Sequence, residues 1–269
     1  MCLIFIAHRH SDRYPLVVAA NRDEFHQRPA APAGFWQEAP EILAGRDLTG
    51  GGTWLGLSRG GRVAAVTNFR EPRGHRADAP TRGALVTDFL SGGGDPLDYL
   101  HAVAARGSVY NGFNLIAGDL DVLGWYSNRG GEPRALSPGI YGISNHLLDT
   151  PWMKVVQGKS RFCDWLDQSD PDPEDLLELL RDETVADDTM LPDTGVGIDQ
   201  ERTLSPIFIR GERYGTRSST VLMIDAGRHA TFIERSFDAG GNATGTVAFD
   251  FELTDADSDR PRRAGAGAV

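Results

Sequence analysis

The chain has 269 residues, of which 40% are apolar and 24% are charged, a balance typical of a globular protein with a buried core. Its formal net charge of −11 argues against nucleic-acid binding, because that affinity is built mainly on clustered Lys and Arg. The two cysteines, Cys2 and Cys163, are too few for a disulfide framework and fit a reducing compartment. The apolar opening 2–7 is too short to span a membrane and follows no basic segment, so we expect a cytoplasmic protein without stable membrane insertion.

The first predicted elements are two apolar strands, Cys2–Ala7 and Pro15–Ala20, which form a hairpin. The Pro- and Ala-rich stretch 28–40 cannot form a regular helix and is expected to cross the surface as an extended segment. A Gly-rich turn at 50–52 precedes two more strands, and Thr81 is a good N-cap for a helix that runs to Leu90. The later predicted elements are a helix over 95–105, strands over 111–118, 122–127 and 139–145, helices over 150–166 and 173–181, and strands over 205–210, 216–225, 230–236 and 246–251.

Strands and helices thus occur in separate runs, which predicts an α+β layered domain rather than the alternating units of a doubly wound sheet. A fold of two packed sheets covered by pairs of helices is consistent with this order of strands and helices along the chain. We expect one domain over residues 1–255, since neither a linker nor a repeat divides the chain. The Ala- and Gly-rich residues 256–269 are expected to form a flexible tail.

Cys2 holds a chemically distinctive position, because removal of Met1 would leave a thiol and a free α-amine on one residue. Reference pKa values are about 7.7–8.0 for an α-amine and about 8.5 for a cysteine thiol, so both groups titrate near neutral pH. One residue could then supply both the nucleophile and its base for attack on an amide or ester carbonyl. The position of Cys2 is equally compatible with a purely structural role, as a small side chain at the edge of a buried strand.

Four consecutive polar residues, Asn21, Arg22, Asp23 and Glu24, follow the second strand directly, and the hairpin delivers them beside Cys2. The fixed positive charge of Arg22 would lower the pKa of a nearby thiol, and Asp23 could hold and orient an ammonium group. A strand-end turn with a surface ion pair would explain the same residues without a functional role.

Three further polar residues stand at the ends or the starts of apolar strands. Asn68 and Asn145 each end a strand, where an Asn amide can donate into an oxyanion hole, although Asn is also a routine turn residue. Arg217 begins an otherwise uncharged strand, which suggests a carboxylate or substrate partner, while an edge-strand Arg could simply reach solvent. His146 adjoins Asn145 and could reach the same cleft, and Trp54 is interpreted as a core or groove residue.

Other kinds of site lack support in the sequence. His8 and His10 have no third matching ligand, so no metal site is expected. The chain contains no Ser nucleophile elbow and no phosphate loop, and Gly50-Gly51-Gly52 leads into a strand pattern instead of the helix of a dinucleotide fingerprint. These classes of function are therefore excluded.

Short motifs in one order along almost the whole chain carry a family resemblance. They are Met1-Cys2-Leu3, Asn21-Arg22-Asp23-Glu24, Gly51-Gly52-Thr53-Trp54-Leu55-Gly56, Thr67-Asn68, Tyr110-Asn111-Gly112-Phe113-Asn114, Ser144-Asn145, Asp149-Thr150-Pro151-Trp152 and Tyr214-Gly215-Thr216-Arg217-Ser218-Ser219-Thr220. In this pattern the chain resembles the NRDE family, which is named after the tetrad.

The NRDE family is similar in turn to N-terminal-nucleophile cysteine hydrolases of the penicillin-V-acylase and bile-salt-hydrolase type. The resemblance implies their fold, a four-layer αββα sandwich. It implies that Cys2 matches the acylases' nucleophile, Asp23 their amine-orienting acid and Arg217 their distal arginine. Asn68 and Asn145 match the acylases' oxyanion and amine partners. Those acylases place a further arginine three residues before the acid, whereas here Arg22 immediately precedes it.

Two functions of different classes follow as expectations. As an enzyme, the protein would hydrolyse a C–N amide or a thioester through an acyl-Cys2 intermediate, with no cofactor required. Animal NRDE proteins are implicated in haem movement and in lipid and acyl-coenzyme-A homeostasis, so the resemblance also implies a carrier of haem or an acyl ligand. In both cases the partner is a small molecule. Candidate ligand-binding residues are Asn21, Glu24, His146 and Trp54.

Overall fold

Two antiparallel β-sheets lie face to face in the structure, a computed structural model that describes residues 2–254. Met1 and the predicted tail, 256–269, lie outside the described residues. In chain order the strands are β1 (Cys2–His8), β2 (Leu16–Phe25), β3 (Ala30–Phe35), β4 (Ile42–Asp47), β5 (Leu55–Ser58), β6 (Val63–Asn68), β7 (Phe113–Gly118), β8 (Leu123–Ser127), β9 (Arg134–Ala135), β10 (Gly139–Ile143), β11 (Tyr214–Ile224), β12 (His229–Phe237) and β13 (Ala243–Glu252). The α-helices are α1 (Gly83–Ser91), α2 (Pro96–Ala104), α3 (Met153–Leu166), α4 (Pro173–Leu179) and α5 (Ile198–Thr203).

The first sheet has six strands in the order β10-β1-β2-β11-β12-β13, and the second has seven in the order β3 to β9. The second sheet is a meander, because each of its strands pairs with the next strand along the chain. In the first sheet, β1 and β2 sit between elements that come much later in the chain. The amino-terminal hairpin therefore occupies the middle of that sheet.

Three apolar clusters hold the layers together. One lies between the two sheets and includes Ile4, Val18 and Leu222. A second packs α1 and α2 on the outer face of the seven-stranded sheet, and a third packs α3 and α4 on the outer face of the six-stranded sheet. The four-layer αββα sandwich expected from the resemblance is therefore confirmed.

The predicted strand over 205–210 is wrong, because this segment is buried but irregular. Side chains satisfy its carbonyl groups in place of a neighbouring strand. Nδ2 of Asn21 donates to the Ile207 oxygen over 2.9 Å, and Nζ of Lys154 donates to the Pro206 oxygen over 3.4 Å. The apolar run predicts correctly that the segment is buried. An apolar pattern does not show whether a neighbouring strand is available to pair with it.

The segment 28–40 is more regular than its composition indicated. Its residues Ala30–Phe35 form the edge strand β3, which pairs with β4. The register of this pair shifts between Ala31 and Gly34, and Pro32 lies inside that irregularity. An edge strand tolerates proline at such a point because no ladder hydrogen bond is required of it there.

None of the helices in residues 2–254 is both long enough and apolar enough to cross a bilayer.

Helix α3 packs closely on β1 at Gly158, where a Cβ atom would overlap the ring of Phe5. We expect Gly158→Ala to lower the free energy of unfolding by about 1–3 kcal/mol, although Ala is the better helix former, because the buried ring must move. Urea unfolding measures this loss. The matched control is Gly93→Ala, where nothing lies within 4 Å of the added atom, and a change beyond about 0.5 kcal/mol is not expected. Equal effects of the two variants would contradict the packing argument.

Candidate active site

A cleft of about 550 Å³ opens between the two sheets at the amino-terminal end of β1. The walls come from both sheets and from the segment that leads into α1. Residues that line the cleft include Cys2, Arg22, Asp23, Glu24, Arg28, Asp47, Thr53, Trp54, Asn68, His75, Arg76, Arg82, Arg217, Ser218 and Glu234.

Strand register decides which side chains meet in this cleft. β1 pairs with β2 so that Cys2 lies opposite Arg22, and paired residues of neighbouring strands point to the same face. Alternation along β2 then directs Asn21 and Asp23 to the opposite face, which the helices cover. Cys2 and Arg22 are therefore neighbours in the cleft, and the Asp23 carboxylate lies behind them.

The Cys2 side chain is buried at the base of the cleft, with 7% of the residue exposed. Burial raises the pKa of the Cys2 thiol to about 11; the negative charge of Asp23 adds to this rise and the positive charge of Arg22 opposes it. The thiol consequently keeps its proton at neutral pH and needs a base before it can act as a nucleophile.

A β-bulge in β11 shapes the other side of the site. The register between β2 and β11 shifts between Thr216 and Ser218, and the extra residue is Arg217. A bulge re-aims the side chains around it. Arg217 and Ser218 therefore both line the cleft, while Thr216 faces the helices and donates to Oδ1 of Asp23 over 2.8 Å.

Arg217 and Glu24 stabilise the turn that follows β2. Nη1 of Arg217 donates to the backbone oxygens of residues 25, 26 and 28 at 3.0–3.1 Å, so main-chain carbonyl groups take the place of the suggested carboxylate partner. The Glu24 carboxylate lies 4.0 Å from the guanidinium of Arg22 and 3.9 Å from that of Arg28. Arg217 thus adds positive charge to the cleft from a side chain whose position is fixed.

Asn68 and Asn145 are coupled to each other at the edge of the site. Nδ2 of Asn145 donates to the backbone oxygen of Asn68 over 3.0 Å, and Asn68 lines the cleft. The Ser144 hydroxyl donates to the Cys2 carbonyl oxygen over 3.3 Å. Asn145 itself is fully buried, so it acts on the cleft by holding the end of β6 in place.

The structure separates the predicted ligand-binding residues into two groups. Glu24 and Trp54 line the cleft. Asn21 faces the helical layer, where its amide donates to the Leu180 and Ile207 oxygens at 2.8 and 2.9 Å. The His146 ring packs between Phe69 and Trp152, with centroid distances of 4.8 and 6.0 Å, and Nδ1 lies 2.9 Å from the Thr150 hydroxyl.

Several charged residues of the cleft were not found from the sequence, and Arg82 and Glu234 are two of them. Arg82 directly precedes α1, and its Nη1 donates to the Gly112 oxygen over 2.9 Å. Glu234 lies on β12, where its Oε1 accepts from the Ala33 N–H over 2.7 Å, and burial raises the pKa of its carboxyl group. Arg82 belongs to no polar cluster in the sequence, and Glu234 begins the polar run Glu234-Arg235-Ser236, which is also typical of an exposed strand end.

A close contact between two glycines brings Arg82 to the cleft. A Cβ atom on Gly52 would lie 2.6 Å from the carbonyl carbon of Gly83, and one on Gly83 would lie 3.0 Å from the Thr53 oxygen. The start of α1 can therefore rest directly on the turn that precedes β5. The Gly-rich turn of the sequence thus has a packing role at the site.

Arginine dominates the charge of the cleft. Six arginines and four acidic residues contribute to the walls, in a chain whose net charge is −11. Arg28 forms a bidentate ion pair with Asp47, and Arg46 pairs with Glu38. Arg22, Arg82 and Arg217 surround the Cys2 end of the cleft, so the site favours negative charge on a ligand or a reacting group.

A second set of charges lies behind the cleft, on the helix-covered side of the six-stranded sheet. Arg70, which follows β6, forms an ion pair of 2.5 Å with Glu201 of α5, and both side chains are buried. Lys154 of α3 is buried beside them. Sequence reasoning missed all three residues, because charged residues in polar loops and amphipathic helices are usually exposed.

We expect Glu201→Gln to lower the free energy of unfolding by about 3–5 kcal/mol, since it leaves the Arg70 guanidinium buried without its counter-charge. The matched control is Glu174→Gln, which breaks the exposed ion pair with Arg235 at 2.6 Å and should cost less than about 1 kcal/mol. Denaturant unfolding at neutral pH compares the two. A similar small loss in both variants would show that burial adds nothing to the Arg70–Glu201 pair.

Two solved structures resemble this chain at very low sequence identity. The first, the Caenorhabditis elegans ortholog of N-acylethanolamine-hydrolyzing acid amidase, is 10% identical, covers 82% of this chain and 92% of its own, and gives a TM-score of 0.45. The second, the C2A mutant of a conjugated bile acid hydrolase from Clostridium perfringens, is 8% identical, covers 96% and 94%, and gives a TM-score of 0.48. Similarity at this level carries no conclusion about the site.

Relatives of known sequence are much more similar. A mouse Transport and Golgi organization 2 homolog is 41% identical over 94% of this chain and 99% of its own length, and the human homolog is 42% identical over 88% and 93%. The Drosophila melanogaster Transport and Golgi organization protein 2 is 27% identical over 88% and 92%. The family model for Transport and Golgi organisation 2 matches residues 1–239, so the chain belongs to this family, for which NRDE is another label.

Proposed function

We propose that the protein is an N-terminal-nucleophile hydrolase that cleaves a C–N amide or a thioester through an acyl-Cys2 intermediate. One observation carries the proposal: Cys2 is buried at the base of a cleft and lies directly opposite Arg22 in the pairing of β1 and β2. A cleft and a nearby positive charge are what a cysteine nucleophile with its own α-amine needs around it.

The proposed reaction begins once Met1 is removed. The α-amine of Cys2 takes the thiol proton, and the thiolate attacks the substrate carbonyl carbon to form a C–S bond. Collapse of the tetrahedral intermediate breaks the C–N bond, and the proton passes from the α-ammonium to the departing nitrogen. Water then attacks the acyl-Cys2 thioester, releases the acid and returns a proton to the sulfur.

The surrounding charges suit this sequence of steps. Burial keeps the thiol neutral until the amine removes its proton, and Arg22 then stabilises the thiolate. Asp23, whose Oδ1 accepts from the Thr216 hydroxyl on the helix-covered side of the sheet, would hold the α-ammonium by its negative charge. Asn68 lies at the cleft wall, where its amide could donate to the oxyanion, and Asn145 fixes its position.

We expect Cys2→Ser to abolish turnover of a panel of chromogenic N-acyl amides and acyl thioesters, because a hydroxyl is a far weaker nucleophile at neutral pH. Cys163→Ser is the matched control and should leave the rate unchanged, since Cys163 lies on α3 away from the cleft. A peptide map after single-turnover reaction should place the acyl group on Cys2.

Intact-mass measurement of the active protein provides the result that could contradict the proposal. Turnover by a preparation that retains Met1 on every molecule would overturn the proposal, because the α-amine would then be on the wrong residue. Turnover by Cys2→Ser at the wild-type rate would overturn it as well.

A carrier function is the second candidate, and the arginine-rich wall of the cleft together with the neutral thiol of Cys2 favours it. A carrier of an anionic small molecule, such as haem with its propionates or an acyl-coenzyme A, needs positive charge and no reaction at sulfur. Cys2 and His75 both line the cleft and are residue types that ligate haem iron. We propose a cytoplasmic site of action in either case, since both cysteines are free.

Haem titration tests the carrier directly. We expect a Soret band at micromolar haem that weakens in Cys2→Ser or His75→Ala, according to which residue ligates the iron. Cys163→Ser again serves as the control. The absence of a spectral change at these concentrations would contradict haem carriage, while acyl-coenzyme-A binding would be measured separately by calorimetry.

A further inference from the structure

Lysine is rare in this chain, and one of its two lysines is in the interior. Of the 27 basic residues only Lys154 and Lys159 are lysines, and the rest are arginines. Lys154 is 3% exposed on α3, whereas Lys159, one turn further along, forms an ion pair with Asp149 at the surface. A buried ammonium group is costly, so its retention calls for a partner.

Part of the explanation lies in the irregular segment that follows α5. Nζ of Lys154 donates to the carbonyl oxygens of Leu204 and Pro206 at 2.7 and 3.4 Å. The same segment continues to Ile209, whose N–H donates to the Thr216 hydroxyl over 2.9 Å. Thr216 in turn donates to Oδ1 of Asp23 over 2.8 Å. A short stretch of chain thus connects the Lys154 ammonium to the Asp23 carboxylate.

Asp23 faces the same layer as Lys154. The alternation along β2 and the bulge in β11 turn its carboxylate away from the cleft, and the residue is 1% exposed. Burial alone would favour the protonated carboxylic acid. A protonated Asp23 could not attract the α-ammonium of Cys2 by charge.

We propose that Lys154 is a positioning residue that acts through Asp23: its ammonium group keeps the buried Asp23 carboxylate ionised, so that the carboxylate can hold the Cys2 amine in place. The second half of this statement rests on the proposed hydrolase function. The first half, the charge coupling of Lys154 and Asp23, stands independently of it.

Each residue acts on the pKa of the other in the direction that the proposal requires. Burial raises the pKa of Asp23, and Lys154 is the leading charge that lowers it. Burial lowers the pKa of Lys154 to about 8, and Asp23 is the leading charge that raises it. Other charged or titratable groups that face this pair from the packed elements are Cys2 on β1, Arg22 on β2, Arg70 after β6, Glu201 on α5 and Tyr214 on β11.

A purely structural role for Lys154 gives a different expectation. If the ammonium only capped the Leu204 and Pro206 carbonyl groups, its protonation would not depend on the charge of residue 23. Substitution of Asp23 by its uncharged isostere Asn separates the two cases. It removes one negative charge and leaves the carbonyl partners of Lys154 in place.

The test uses protein labelled with ¹³C at lysine, which gives two side-chain signals. In the wild type, the Lys154 Cε shift should titrate near pH 8. In Asp23→Asn we expect this midpoint to fall by about one pH unit or more, because the loss of a negative charge disfavours the ammonium form. The Lys159 signal serves as the internal reference for the two proteins. An unchanged Lys154 midpoint would overturn the proposal.

Two further variants separate this inference from the hydrolase proposal. Cys2→Ser should leave the effect of Asp23→Asn on the Lys154 midpoint intact, since the coupling does not need the thiol. If the protein hydrolyses amides, Lys154→Met should move the acidic limb of the kcat/KM profile to higher pH, and Lys154→Arg should restore it, because either cation keeps Asp23 ionised. If the Lys154 midpoint depends on Asp23 but the protein shows no turnover, the hydrolase proposal is refuted and the charge coupling stands.

Discussion

The pairing of β1, β2 and β11 is the constraint on which the rest of the site depends. Cys2 opposite Arg22 places sulfur and guanidinium on one face of the sheet, and the next residue along β2 must then face the other way. The bulge at Arg217 interrupts the strict alternation of side-chain directions along β11. It directs Arg217 toward the cleft and Thr216 toward Asp23, so one extra residue serves both faces.

The six-stranded sheet therefore separates two electrostatic environments. On the cleft side, arginines outnumber acids beside a buried, protonated thiol. On the helix side, two acidic and two basic side chains, Asp23, Glu201, Lys154 and Arg70, are buried in the interior. Such a set is tolerable only because each charge has an opposite charge or several carbonyl groups close to it. The backbone of Asp23 belongs to the first environment and its carboxylate to the second.

The arginine-rich cleft beside the Cys2 thiol suits both an enzyme and a carrier. A neutral thiol in a positively charged cleft can bind an anion without reacting, and the same thiol becomes a nucleophile when an amine beside it accepts the proton. The state of residue 2, blocked by Met1 or free, is the chemical difference between them.

The sequence by itself determined much of the architecture and the polar residues that are contiguous along the chain. The layered α+β class, the amino-terminal hairpin, α2 and the tetrad 21–24 follow from local patterns, because periodicity and capping are local properties. Only the tertiary structure decided that Asn21 and Asp23 face the helices, that Asn145 acts through Asn68, and that Arg82, Lys154 and Glu234 join the site. Those outcomes depend on register, on a bulge and on contacts between residues far apart in the chain, such as Lys154 with the irregular segment at 204–206. A sequence pattern reports how strongly a segment prefers to be buried, and it does not specify which partner it is buried against.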